Sequence, residues 1–198
     1  RASMKRILAP ALLAIGFCTG SVLADWTLDP DRSHLTFISI KAKDVAEVHT
    51  FKEMSGRVGD DGKVSLSMML DSVETLIPIR NERMREFLFK TTDYKEAVLD
   101  ATIDPAIISG MNAGDVATIT AEGNLSLHGQ VQQMTLVLQA AKVADNTVVV
   151  AAAKPLIVDA AKFGMSEGVE KLREIAGLAS ISNAVPVTFA LTFVEAAN

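Results

Sequence analysis

In the stretch KVSLSMML (63–70), Val64, Leu66, Met68 and Leu70 take every second position. That spacing gives an extended strand one apolar face. It does not suit a helix, whose apolar positions recur three and four apart. The same alternation returns in AVLDATID (97–104) with Leu99, Ala101 and Ile103, and in QVQQMTLVLQAA (130–141) with Met134, Leu136 and Leu138. In AVPVTFALTFV (184–194) it sets Val187, Phe189, Leu191 and Phe193 against Thr188, Ala190 and Thr192. HLTFISIKA (34–42), EVHTFKEMSGRV (47–58), DVATITAEGNLSL (115–127) and the nearly all-apolar NTVVVAAAKPLIV (146–158) bring the count to about eight strands. Residues that tolerate positive φ separate them, at Gly59-Asp60-Asp61-Gly62 and at His128-Gly129. The pattern predicts an all-β antiparallel domain, either a sandwich or an up-and-down barrel. An eight-stranded barrel is wide enough to hold one small ligand.

Two segments break the alternation. In SVETLIPIRNERMREFLF (72–89), Pro78 and Arg80 take the chain out of its strand, and over 80–90 Met84 and Phe87 lie three apart. A short helix there has one apolar face. In SEGVEKLREIAG (166–177), Ser166 suits the start of a helix and Gly177 its end, while Val169, Leu172, Ile175 and Ala176 form a stripe. Both segments predict short helices lying over the strands.

The N-terminus points to a compartment. After Met4 come Lys5 and Arg6, the apolar run ILAPALLAIGFCTG, and small residues at Val22 and Ala24. This is the pattern of a secretory signal peptide cut after Ala24, and its apolar run is too short to span a membrane. Arg1-Ala2-Ser3 read as a vector remnant or upstream translation. The expected organisation is 1–24 as remnant plus signal, and 25–198 as one periplasmic domain. The sole cysteine, Cys18, falls within the signal, so the mature chain has no disulfide or thiolate chemistry. Without Arg1, Lys5 and Arg6, 16 basic residues face 24 acidic ones, a net charge of about −8. With no basic stripe, nucleic acid is excluded as a partner.

Little in the chain suggests catalysis or metal binding. His34, His49 and His128 lack the close pair spacings of zinc sites, and each reads as a structural residue bonded through a ring nitrogen to backbone. No G-x-S-x-G is present. Ser33 and His34 are adjacent, but neighbouring strand residues point to opposite faces. Asp60 and Asp61 sit side by side in a turn, open to water rather than set in a cleft, and no glycine-rich phosphate loop follows a strand. The apolar faces remain, with a mean hydropathy of +0.28 over the whole chain. Taken alone they describe a packed, dry core.

The order of motifs resembles the YceI-like family, secreted lipocalin-like β-barrels that bind polyisoprenoids. The resemblance covers nearly all of the mature chain. It begins with Trp26-Thr27-Leu28-Asp29-Pro30 and Ser33-His34-Leu35-Thr36-Phe37, and continues with Gly56-Arg57-Val58. The family's Ser-Ile-Asp-Thr-like element, a four-residue gap and Arg-Asp-x-His-Leu-Arg correspond to Ser72-Val73-Glu74-Thr75 and Arg80-Asn81-Glu82-Arg83-Met84-Arg85, with Phe87 and Phe89 after them. Tyr94, Gly123-Asn124-Leu125-Ser126-Leu127-His128-Gly129 and Phe163-Gly164 match further elements. The chain departs from the pattern at Asn81 (Asp in the family), Arg83 (His), Lys95 (Pro), Lys43-Asp44-Val45, Ala160 and Lys162.

The resemblance implies an eight-stranded antiparallel lipocalin-like barrel with one or two short helices over its mouth. It implies a long apolar channel between the strands, lined by Phe37, Leu66, Met68, Leu99, Met134, Leu136, Phe189 and Phe193. Phe87 and Phe89 would plug or line the mouth. Arg80 and Arg85, with Arg83, would face a polar or phosphorylated head group. The implied function is non-catalytic. A long-chain isoprenoid lipid, polyprenyl or quinone, is sequestered in the barrel, with no metal and no other cofactor. Transient membrane contact and a homodimer fit such a carrier. A filled-core interaction protein and a small hydrolase are the alternatives.

Overall fold

The structure is a computed structural model that describes residues 25–196. The signal-peptide reading, with Cys18, lies outside the described residues. The strands are β1 (Trp26–Lys41), β2 (Val45–Phe51), β3 (Met54–Val58), β4 (Lys63–Met69), β5 (Val73–Glu74) and β6 (Glu96–Thr102), then β7 (Val116–Leu127), β8 (Gln130–Ala144), β9 (Thr147–Ala152), β10 (Leu156–Asp159) and β11 (Ala184–Glu195). Neighbours run β1-β3-β4-β6-β7-β8-β9-β11, and β11 pairs back onto β1, which closes the sheet into a ring of eight antiparallel strands. The barrel reading therefore holds, and the sandwich is set aside.

The remaining strands extend that ring at one end. Beyond β3, β1 pairs with β2 from Thr36↔Thr50 to Lys41↔Val45. Beyond β9, β11 pairs with β10 from Leu156↔Val187 to Asp159↔Ala184. The expected strands 47–58 and 146–158 are each bent into two pieces. Pro155 interrupts the second, since it has no N–H for a ladder. In the first, the N–H groups of Lys52 and Glu53 turn away to the backbone and side-chain oxygens of Ser72.

A register shift between Asp29 and His34 lets β1 bend to serve both partners. Ser33 Oγ donates to the Asp29 carbonyl at 2.6 Å and accepts the Thr192 N–H at 2.9 Å, pinning the bulge to β11. Ser33 is buried and His34 exposed, as alternation requires.

Among the described residues, three α-helices join the strands. α1 (Pro78–Arg83) starts with proline at its first turn, where the missing N–H costs nothing, and runs into a π turn, Met84–Phe89. Asn81 ties α1 to β5: its Oδ1 accepts from the N–H and the hydroxyl of Thr75 at 2.9 and 2.6 Å, and its Nδ2 donates to Glu74 at 3.0 Å. α2 (Pro105–Ser109), capped by Asp104, is too short for sequence periodicity to reveal. α3 (Ser166–Ile175) ends as expected at Gly177, whose φ is +64°. Its start differs from expectation. Ser166 does not cap it, because the left-handed turn at Gly164 makes Met165 the flanking residue, whose carbonyl accepts the first helical bond from Val169.

Candidate functional site

Strand alternation aims one set of side chains inward along the whole barrel, yet the interior is not filled. A cavity of about 380 Å³ occupies the end beneath α1, the π turn and α3. A smaller void of about 70 Å³ lies towards the other end, among residues such as Trp26, Ile119 and Val148. Leu66, Leu99 and Phe189 border both spaces and form a waist between them.

The cover is built from two pieces. Val169, Leu172, Ile175 and Ala176, the stripe of α3, all line the main cavity. Met84, Leu88 and Phe89 of the π turn line it from the facing side. The two pieces meet at Gly168, where an added Cβ would stand 2.5 Å from the Phe87 carbonyl oxygen and 2.9 Å from Leu88 Cα. Only hydrogen fits between them. Deeper in, Phe37 stacks on Phe51 at 5.2 Å between ring centroids, and Phe51 meets Phe89 at 5.7 Å.

The interior face of the β1–β2 hairpin changes character towards the rim. On β1 it runs Phe37, Ser39, Lys41, and on β2 Phe51, His49, Glu47, all lining the cavity. Phe37, Phe51 and His49 are buried, whereas the Lys41 and Glu47 side chains remain 28% and 30% exposed. Ser39 Oγ and His49 Nε2 share a hydrogen bond of 2.8 Å. Lys41 and Arg80 bracket the Glu47 carboxylate at 2.9 and 2.8 Å, and Arg80 also donates to the Thr75 carbonyl at 2.7 Å. The Lys41 ammonium, then the Arg80 guanidinium, hold the Glu47 carboxyl below its ordinary pKa. Burial, reinforced by Arg80, lowers the pKa of His49 and keeps it neutral at pH 7. Outside the cavity, the Lys52 ammonium, then Asn81 and the Leu76 N–H, pull Glu74 down to about 2.

The residues singled out from the sequence divide among these places. Phe37, Met68, Arg80, Phe89 and Met134 line the main cavity. Leu136 and Phe193 line the smaller void only, since alternation fixes which face a residue takes and not its height along the barrel. Arg85 and Phe87 line neither. Arg85 donates to the Asp71 carbonyl at 2.8 Å, and Phe87 lies beside α3 with the Lys171 ammonium 6.0 Å from its ring. The π turn, with its extra residue, brings Met84, Leu88 and Phe89 inward instead.

The histidines also differ from one another. His128 bonds through Nδ1 to the Phe163 carbonyl at 3.2 Å, as expected of a structural residue. His49 bonds to a side chain rather than to backbone, because it stands diagonally across the hairpin from Ser39. The signal for this polar step was present in alternating Glu47-x-His49-x-Phe51 opposite Phe37-x-Ser39-x-Lys41. It requires the pairing register to be read.

A family model for a YceI-like domain matches residues 26–193. Among solved structures, the chain is similar to a polyisoprenoid binding domain from Saccharophagus degradans implicated in plant cell wall breakdown. That domain is 33% identical, with 86% of this chain and 98% of that one covered and a TM-score of 0.85. BcnA of Burkholderia cenocepacia is 20% identical over 83% of this chain and 98% of that one, with a TM-score of 0.65. A YCEI protein of Campylobacter jejuni is 12% identical over 76% and 85%, with a TM-score of 0.51. These last two share the fold. No curated protein matches the chain.

Proposed function

Because the chain belongs to the YceI-like family, we propose that it binds one long-chain isoprenoid lipid, polyprenyl or quinone, in the barrel and carries it through the periplasm. The observation that carries this reading is the apolar cavity of about 380 Å³, closed over by α3 and the π turn. Its size falls in the range of small-molecule sites, about 300–1,000 Å³. Supporting it is the polyisoprenoid binding described for the 33%-identical relative. Each stretch of chain that enters leaves water at about 25 cal/mol per Å² of apolar surface, before ordering costs. Met68, Met84, Met134 and Met165 line the space and adapt to a flexible guest.

The periplasmic setting rests on the N-terminal pattern of Lys5-Arg6, an apolar run and Ala24. Transient contact with a membrane is supported at the rim, where Leu76 is 88% exposed at a φ of +64° and Ile77 and Ile79 are exposed beside it. Ile77 and Ile79 also line the cavity, so a lipid leaving a bilayer there would stay in apolar contact. The test is native mass spectrometry of mature protein purified from its host, followed by organic extraction. A stoichiometric isoprenoid is the expected result. A clean apo mass that stays unchanged when polyprenyl lipids and quinones are offered would defeat the proposal.

A further inference from the structure

The hydrogen bonds at the polar step of the cavity leave a donor over. A neutral His49 carries one N–H, and the Ser39 hydroxyl carries one O–H, but a single bond joins them. If the hydroxyl donates to Nε2, the remaining hydrogen sits on Nδ1, which is buried with no partner. If Nε2 donates, the hydroxyl hydrogen of Ser39 is free to turn into the cavity that Ser39 lines. Only the second arrangement turns a free donor towards the cavity, where an acceptor on a guest would complete it, and buried polar groups are rarely left without a partner. Arg80 Nε is a further buried donor without a partner.

The charges nearby argue about the kind of acceptor. Lys41 and Arg80 are already paired with Glu47, and Arg80 also serves the Thr75 carbonyl. Arg85, one of the arginines first considered for an anionic head, is bonded to Asp71 outside the cavity. A phosphate placed at Ser39 and His49 would meet the Glu47 carboxylate and would have to break these pairs to gain Lys41 or Arg80. Arg83 is the cavity-lining cation without a carboxylate within 4.0 Å among the described residues, which makes phosphate the competing arm of any test.

We infer that Ser39 and His49 form a head-group subsite for a neutral, oxygen-bearing group, a quinone carbonyl or an alcohol, with the isoprenoid chain running inward past Phe37 and Phe51. The inference rests on the lipid-binding reading and deepens it. The gradient on the hairpin matches an amphiphile: aromatic rings for the chain, a hydrogen-bonding pair for the head, and ion pairs at the rim.

The test compares four probes of one chain length on the mature protein: a polyprenyl quinone, the free polyprenol, the polyprenyl phosphate and the headless hydrocarbon. One hydrogen bond to the subsite gives the two neutral oxygen-bearing probes about a tenfold advantage over the hydrocarbon. The tighter of those two names the head group. Ser39→Ala and His49→Gln each bring that ratio close to one. Because the ratio is taken within one variant, general damage to the barrel cancels. A ratio near one in the unaltered protein, or phosphate binding tighter than both neutral heads, overturns the subsite while leaving lipid binding intact. Failure of all four probes to bind overturns the lipid reading itself, and the subsite with it.

Discussion

Ala97 faces the main cavity from β6, opposite Met68 and two positions from Leu99, and is itself buried. Replacing it with leucine separates a hollow barrel from a packed one. In a close-packed interior, the added carbons force neighbours off their rotamers and cost about 1–3 kcal/mol. Beside a cavity of about 380 Å³ they enter free space. There, burying three more carbons at about 0.8 kcal/mol each contributes up to about 2.4 kcal/mol. The expected result for Ala97→Leu is unchanged or increased stability, read from urea midpoints at constant slope. The same carbons displace an equivalent length of guest. An isoprenoid probe therefore loses about 2.4 kcal/mol, or about fiftyfold in Kd. Destabilisation by 1–3 kcal/mol with lipid affinity untouched would refute the reasoning, because it would mean the site is tightly packed and the guest lies elsewhere.

Other expectations follow from single contacts. Asn81→Ala leaves the N–H of buried Thr75 without its acceptor, at a cost of about 1–3 kcal/mol in urea unfolding. Gly168→Ala drives a methyl group into the Phe87 carbonyl, so α3 should separate from the π turn, with faster amide exchange over 166–175 and faster release of bound lipid. His49 has its pKa lowered in the folded state by burial and by Arg80. Below the unfolded value of 6.5 the unfolded chain binds the extra proton more readily, so stability is complete above that pH and declines as pH falls. The part of that decline due to His49 disappears in His49→Gln, as pH-dependent denaturation would show.

The eight strands were legible because a period of two is visible wherever one face of a strand is buried. Their bends were not. The break at Lys52-Glu53 depends on Ser72, which is distant in sequence, and the bulge at 30–33 depends on Thr192 across the closing seam. In the site, alternation picked out inward positions such as Met68 and Met134 but could not rank them by height, so Leu136 and Phe193 fall to the smaller void. A helical period misplaced Phe87, because the π turn carries one residue more than the ordinary spacing allows. The resemblance set the arginines towards a head group. The partners that hold Arg80 and Arg85 instead, Glu47, Thr75 and Asp71, come from other elements, and their identity emerges only after folding.

The two spaces on either side of Leu66, Leu99 and Phe189 amount to internal volume that vanishes when the chain unfolds. Hydrostatic pressure favours the state of smaller total volume, and its effect scales with the voids lost on unfolding. A barrel of this kind is therefore pressure-labile when empty and hardens when a guest fills it. The shift in its pressure midpoint on loading becomes a gauge of how far the guest reaches: a chain held above the waist removes only part of the compressible space, and one that threads past Phe189 removes nearly all of it.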